Sequence, residues 1–220
     1  NYRRLYELER ELNGRPPSRF ELLSIWRLAR DEDYAPWARE VGTTACQITF
    51  FGLEESQDWF YRRRGAFRDA LLATERLLEA GIRPRWQLFL TTRLLPDLDG
   101  LLSLADHLRL RERSAALGGE FQLFMHTPGP DGEAMKIEHL RPTVEDLAQA
   151  PKWLIEQSER YLGHPLGASE AELAGSMLSD ETTVPSAYGY PERLGFYVTA
   201  DEDVFSNVGE LAPWWRLGNL

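Results

Sequence analysis

The chain has 220 residues, 43% of them hydrophobic and 27% charged, enough for about one large domain with a real core. Its 35 acidic residues outnumber 25 basic ones, for a net charge of −10 and a pI near 5.0. That excludes general nucleic-acid binding, which needs a net basic face. The one cysteine excludes a disulfide framework and any zinc or iron site built from Cys alone. A reducing, cytoplasmic setting fits best. No stretch approaches the roughly 18 consecutive apolar residues of a membrane helix, so no membrane partner is expected. The chain starts with Asn1, not Met, and reads as a fragment or a processed form.

Leu5, Leu8 and Leu12 share one face of an expected helix over Tyr2–Leu12, stopped by Asn13-Gly14. Ser18 and Glu21 form a capping-box pattern ahead of a second helix with Leu22, Leu23, Trp26 and Leu28. Asp31 to Val41 continues helically until Gly42. Three short apolar runs read as buried strands: Ala45–Gly52, Arg85–Thr92 and Glu120–His126. Between them lie helices over Gly65–Ala80, closed by Gly81, and over Pro96–Arg113, closed by Gly118-Gly119. Strands alternating with helices mean parallel strands joined by crossovers, because a parallel pair cannot be joined by a tight turn.

The fold class is therefore α/β. In such folds ligands sit at the carboxyl ends of the strands. The residues to inspect are Phe51 to Glu55, Thr91 to Arg93, and His126 to Glu133. Beyond Glu133, Thr143 and Asp146 form a second capping box, Pro151 to Leu162 a helix, and Ala168 to Leu178 a shorter one. A Pro- and Gly-rich stretch begins at Ser179. Gly195 to Ser206 reads as a hairpin around an acidic turn. The expected organisation is a barrel portion over 1–134 and a helical and hairpin extension over 135–220.

Arg62-Arg63-Arg64 precedes the helix that starts after Gly65. Guanidinium groups and a helix N-terminus both suit a carboxylate or phosphate; a solvated loop paired with Glu54, Glu55 or Asp58 is the plainer reading. His126, Asp131 and Glu133 could be acid–base groups or metal ligands, or a turn signalled by Asp131-Gly132. His107 and His164 read as structural, and His139 is open between the two. Cys46 reads as a small core residue. Trp59, beside the arginines, could stack on a planar ligand such as a base or line a loop; the other tryptophans read as core or seam residues.

The span Ala45 to Leu95 resembles the middle of a radical S-adenosylmethionine (SAM) enzyme. The residues that carry this are Ile48-Thr49-Phe50-Phe51-Gly52, then Glu54 to Asp58, then Arg62 to Phe67. The helix ending Leu77 to Ile82 and the strand Trp86 to Thr92 complete it. The tail Phe196 to Asn207 with Leu217-Gly218-Asn219-Leu220 resembles the C-terminal extension of many such enzymes. It lacks their Gly and Cys, so no auxiliary iron–sulfur cluster is expected there.

The resemblance implies a partial (β/α)6 TIM-like barrel of which this chain holds the later half. It implies a radical SAM enzyme using S-adenosyl-L-methionine and a [4Fe–4S] cluster to generate a 5′-deoxyadenosyl radical for hydrogen abstraction. Thr49, Gly52, Arg62, Arg63, Gln87 and Thr91 would bind the cofactor, with Thr49 and the arginines at its amino acid end. His126, Asp131 and Glu133 would face a small-molecule or peptide substrate. Ferredoxin or flavodoxin would be the electron donor. The family's three clustered cysteines are not in this sequence, so the metal-binding residues are expected before Asn1 and this chain alone is expected to be inactive. Two other readings stand beside it. One is a cluster-less α/β module binding a nucleotide, small acid or partner protein. The other is a metal-dependent barrel hydrolase built on His126, Asp131 and Glu133, which lacks a clear second His.

Overall fold

Four short strands lie side by side in chain order: β1 (Arg19–Glu21), β2 (Thr43–Phe50), β3 (Arg83–Phe89) and β4 (Gln122–His126). The computed structural model describes residues 7, 11, 19–128, 132–167, 169, 171, 172, 174, 175, 197–206 and 211–219. The chain divides into two units, Asn1–Met125 and His126–Leu220. In the first, the sheet is parallel, as the alternation of strands and helices predicts.

The helices of this unit are α1 (Ile25–Leu28), α2 (Tyr34–Glu40), α3 (Glu54–Phe60), α4 (Ala66–Glu79), α5 (Leu98–His107) and α6 (Leu110–Ala116). The strongest is α4. Its Ala66, Ala70, Ala73, Thr74 and Leu77 recur at helical spacing and are all buried. They pack on β2 and β3. A backbone turn at Gly81, with φ of 76°, ends the helix and leads into β3.

On β2 and β3 the side chains alternate, as a pleated strand requires. Cys46, Ile48, Phe50, Trp86 and Leu88 point to the helices and are fully buried. Phe50 and Trp86 meet with centroids 4.3 Å apart, and Phe67 and Phe121 close around them edge-on. The buried Trp86 indole N–H donates to Thr74 Oγ1 at 3.2 Å, and that hydroxyl donates to the Ala70 carbonyl at 2.9 Å. No polar atom of this pair is stranded in the core, which is what its burial demands.

Two expectations need correction. The helix predicted after Ser18 starts later than expected: Arg19–Glu21 pairs with β2 as a strand, and α1, which holds Trp26 and Leu28, is capped by Ser24, accepting from the Arg27 N–H. A three-residue strand is too short to show a period, and edge pairing decides it. The helix predicted over Pro96–Arg113 is broken at Arg109, whose φ of 53° splits it into α5 and α6. The segment after Gly52, to which no element was assigned, forms α3.

The second unit carries a 3-10 stretch (Gly132–Leu140), α7 (Val144–Leu147) and α8 (Lys152–Leu162). The capping box of Thr143 and Asp146 is present, with reciprocal bonds of 3.2 and 2.8 Å. Gly163, at φ of 78°, ends α8. The expected hairpin is part of a three-stranded antiparallel sheet: β5 (Tyr197–Val198), β6 (Asp203–Phe205) and β7 (Arg216–Asn219). The tail residues matched by the resemblance thus pair, Val204 with Gly218 and Asp203 with Asn219. Glu7 and Glu11 are helical; the rest of the predicted first helix, Ser18 and the Pro-rich stretch lie outside the described residues.

Candidate functional site

The face of the sheet turned away from the helices is polar. Register places Gln47 beside Arg85 and Thr49 beside Gln87, so the alternation that buries Trp86 puts these four on one side. They form a continuous hydrogen-bonded chain. Arg85 Nη2 donates to Gln47 Oε1 at 2.5 Å, and Gln47 Nε2 donates to Gln87 Oε1 at 2.6 Å. Thr49 Oγ1 donates to the same Gln87 oxygen at 3.0 Å.

The Arg85 guanidinium is held between two rings, 3.8 Å from the Phe20 centroid and 5.2 Å from that of Phe124. Phe20 stands on β1 and Phe124 on β4, so one side chain of β3 ties both outer strands of the sheet. Two residues further along, Phe51 and Phe89 begin an aromatic cluster at the carboxyl ends. Phe51 stacks on Phe60 at 3.8 Å and meets Phe89 at 5.0 Å.

The loops at those carboxyl ends are fastened by side chains that the sequence reading did not single out. Gln57 is fully buried. Its Oε1 accepts from the Phe51 N–H at 2.6 Å, and its Nε2 donates to the Thr49 carbonyl at 3.1 Å, pinning α3 to the end of β2. Asp97, from the loop after β3, accepts from the Leu53 N–H at 2.8 Å. At Gly52, with φ of 140°, a Cβ would lie 2.4 Å from Ser56 Cβ and 2.5 Å from Asp97 Oδ2. Glycine is therefore set there by this chain's own packing. Thr91 is likewise fully buried, and its hydroxyl accepts from the Leu94 N–H at 3.2 Å.

The arginine run sits between α3 and α4. Arg62 and Arg64 are exposed. Arg63 pairs with Asp69 at 2.6 Å, and Arg30 reaches the same carboxylate oxygen at 2.8 Å. The start of α4 is taken by Asp58, which accepts from the Gly65 N–H at 2.6 Å and the Phe67 N–H at 3.0 Å. Desolvation raises the Asp58 pKa, but bonds from the Phe67, Gly65 and Ala66 amides and the nearby Arg63 charge outweigh it and hold the carboxyl below its usual range. Trp59 is exposed, and the Arg93 guanidinium covers its ring at 4.2 Å. Of the six residues expected at the cofactor, the structure hydrogen-bonds Thr49 to Gln87, gives Gly52, Arg63 and Thr91 local roles and leaves Arg62 exposed.

His126 ends β4 and opens the second unit. Burial, and then the charge of His164, push its imidazole pKa down, so it is neutral at pH 7. Asp131 lies outside the described residues. Glu133 falls within the 3-10 stretch, and its side chain is likewise outside. Among the described residues, no group of three His, Cys, Asp or Glu side chains could hold a metal ion.

Cys46 lies in the core beneath α4, its thiol pushed up to about 12 by desolvation. A cluster ligand must be a thiolate, so this residue does not fit an iron–sulfur cluster. Thr49 and Gln87, half-buried and carrying hydrogen-bonding groups on the face opposite α4, do fit the polar end of a cofactor such as S-adenosylmethionine (AdoMet). No helix among the described residues is long and apolar enough to cross a membrane.

No family model matches the sequence, and no curated protein matches it. Solved structures do match. One is native anSMEcpe with bound AdoMet, at 14% identity and a TM-score of 0.53. Another is the same enzyme with AdoMet and the Kp18Cys peptide, at 13% identity and a TM-score of 0.51. The alignments cover 88% and 87% of this chain but 52% of the other, so the chain spans about half the length of these structures. That enzyme is a radical SAM anaerobic sulfatase-maturating enzyme. The likeness is one of fold: this chain shares with these structures an α/β architecture with a parallel sheet.

Proposed function

We propose that the chain is the AdoMet-binding portion of a radical SAM enzyme. The observation that carries this is the hydrogen-bonded pair Thr49 and Gln87, on the face opposite α4 of a sheet whose fold matches an AdoMet-bound enzyme. The pair would hold the amino acid end of AdoMet, with exposed Arg62 as a cation that could join it. Arg63 would join it only by giving up Asp69. Gly52 and Thr91 shape the strand ends around that site. His126, with Asp131 and Glu133, would face a peptide or small-molecule substrate, a reading supported by the peptide held in one matched structure.

The role proposed for this chain is the binding and orientation of AdoMet. The ligands of a [4Fe–4S] cluster are not among its residues, and a ferredoxin or flavodoxin donor would serve the assembled enzyme. AdoMet, held by Thr49 and Gln87, would supply a sulfonium whose carbon–sulfur bond is open to one-electron reductive cleavage, releasing methionine and a 5′-deoxyadenosyl radical, with the electron coming from the cluster and donor of the assembled enzyme. Catalysis in such systems belongs to the cofactors, and the protein supplies position and shelter.

The test is calorimetric titration of the chain with AdoMet. Saturable binding is expected. Thr49→Val with Gln87→Leu should weaken it about tenfold or more while the fold is kept. Binding that both substitutions leave unchanged would move the site elsewhere. A second reading, a module that binds AdoMet or a related nucleotide with no cluster, draws on the buried state of Cys46. Anaerobic iron–sulfide reconstitution separates the two: a cluster absorbance on the full-length protein favours the first.

A further inference from the structure

Arginine can only donate hydrogen bonds, whereas a glutamine amide has one accepting end and one donating end. This asymmetry orders the chain of side chains on the face opposite α4. Arg85 must face an acceptor, so Gln47 turns its Oε1 toward the guanidinium, at 2.5 Å. Gln47 then has only its NH2 group for the other side, and Gln87 must meet it with an oxygen, at 2.6 Å. That oxygen also lies 3.0 Å from Thr49 Oγ1, and the hydroxyl must donate to it. Each orientation is forced by the one before, starting from the fixed charge of Arg85.

We propose that Arg85, acting through Gln47, is a positioning residue that sets the polarity of the ligand site. It leaves the Gln87 NH2 group as a donor and the Thr49 oxygen lone pairs as acceptors. A donor beside an acceptor suits an α-amino acid group: the carboxylate takes the Gln87 N–H bonds, and the ammonium gives a bond to Thr49. This deepens the AdoMet reading and rests on it for the identity of the ligand, though not for the polarity itself. The residues are built for a fixed orientation. Phe20 and Phe124 enclose the guanidinium from the two outer strands, and register places both pairs side by side.

The decisive variant is Gln47→Glu. It has the same shape and strengthens the contact with Arg85, so packing is kept. A carboxylate has no N–H, however, so Gln87 must turn its NH2 toward it. The amide nitrogen then also donates to Thr49, whose hydroxyl proton is released outward. Both ligand-facing groups reverse their roles.

The first readout is AdoMet titration of the full chain. The expected result is affinity at least about tenfold weaker in Gln47→Glu, and a smaller preference for AdoMet over its decarboxylated analogue. Arg85→Met should lose affinity as well, with Arg85→Lys, which keeps a donor, nearer to wild type. The second readout is exchange of the side-chain amide protons by NMR, without ligand. The Gln47 NH2 should be protected in the wild type, and the Gln87 NH2 should become protected in Gln47→Glu. Unchanged affinity and preference in Gln47→Glu would overturn the role of Arg85 in binding. A Gln87 NH2 already protected in the wild type would overturn the polarity. A wild-type chain that shows the expected exchange pattern but does not bind AdoMet would instead sink the AdoMet reading alone.

Discussion

The two faces of β2 and β3 are made from adjacent residues and do opposite jobs. Cys46, Ile48, Phe50, Trp86 and Leu88 are 0% exposed beneath α4. Gln47, Thr49, Arg85 and Gln87, one position away each time, are half-buried and linked by hydrogen bonds. Burying an apolar side chain contributes about 1.5–3 kcal/mol, whereas a typical hydrogen bond contributes about 1 kcal/mol net. The first face therefore carries the stability. The second contributes little to folding and can be spent on a ligand. A one-residue slip in register would exchange the two faces and destroy both.

The sharpest way to break that contrast is Trp86→Ala. Loss of the largest fully buried side chain, and of the donor to Thr74, is expected to cost about 3–5 kcal/mol, read from the denaturant midpoint. A cost below about 1 kcal/mol would mean that the core is not centred on this face. Thr49→Val is the mirror test. Its stability should stay within about 1 kcal/mol, while AdoMet affinity falls, as calorimetry would show; an equal loss of both would erase the distinction between the faces.

Asp58→Ala probes the junction between the arginine run and α4. Removing a carboxylate that accepts two amide bonds at a helix start should cost about 0.5–2 kcal/mol. The pH dependence has a definite sign. Because the Asp58 pKa is lowered in the folded chain, its contribution is present above 3.8 and is lost as the pH falls through the lowered value. The variant should show a flatter acid limb than the wild type.

The smallest effect belongs to His126. Its pKa is lowered in the folded state, so the unfolded chain binds more protons just below 6.5. Stability should therefore fall as the pH drops below 6.5, and His126→Gln should flatten that slope. Denaturation curves taken across that range would show it. A wild-type stability that rises on acidification there would contradict the neutral, buried imidazole.

Much of the first unit was legible from residues alone. Strands starting near Thr43, Arg83 and Gln122 announced themselves by short apolar runs between turn signals, and α4 by its period and by Gly81. The capping box at Thr143 is a local bond pattern, and local patterns are written in sequence. The misreadings have one cause in common. β1 is a strand because β2 pairs with it, α5 and α6 part because Arg109 takes a left-handed turn, and neither event leaves a periodic trace.

At the site, sequence pointed to Thr49 and Gln87 through a resemblance but gave no reason for them to touch. It also pointed to Arg62 and Arg63 as an anion clamp, where folding pairs Arg63 with Asp69, turns Asp58 to the amides of α4 and leaves Arg62 exposed. Gln57, which ties α3 to β2, looked like an ordinary polar residue.

The sequence by itself determined the alternation of strands and helices, the apolar stripe of α4, the single cysteine and the acidic balance. These are properties of neighbours along the chain, set by periodicity and composition. The tertiary structure alone decided which polar residues face one another. Arg85 and Gln47 are 38 positions apart, and only parallel register brings them within hydrogen-bond reach. Because arginine has no acceptor, that single long-range contact also fixes which end of each amide a ligand would meet.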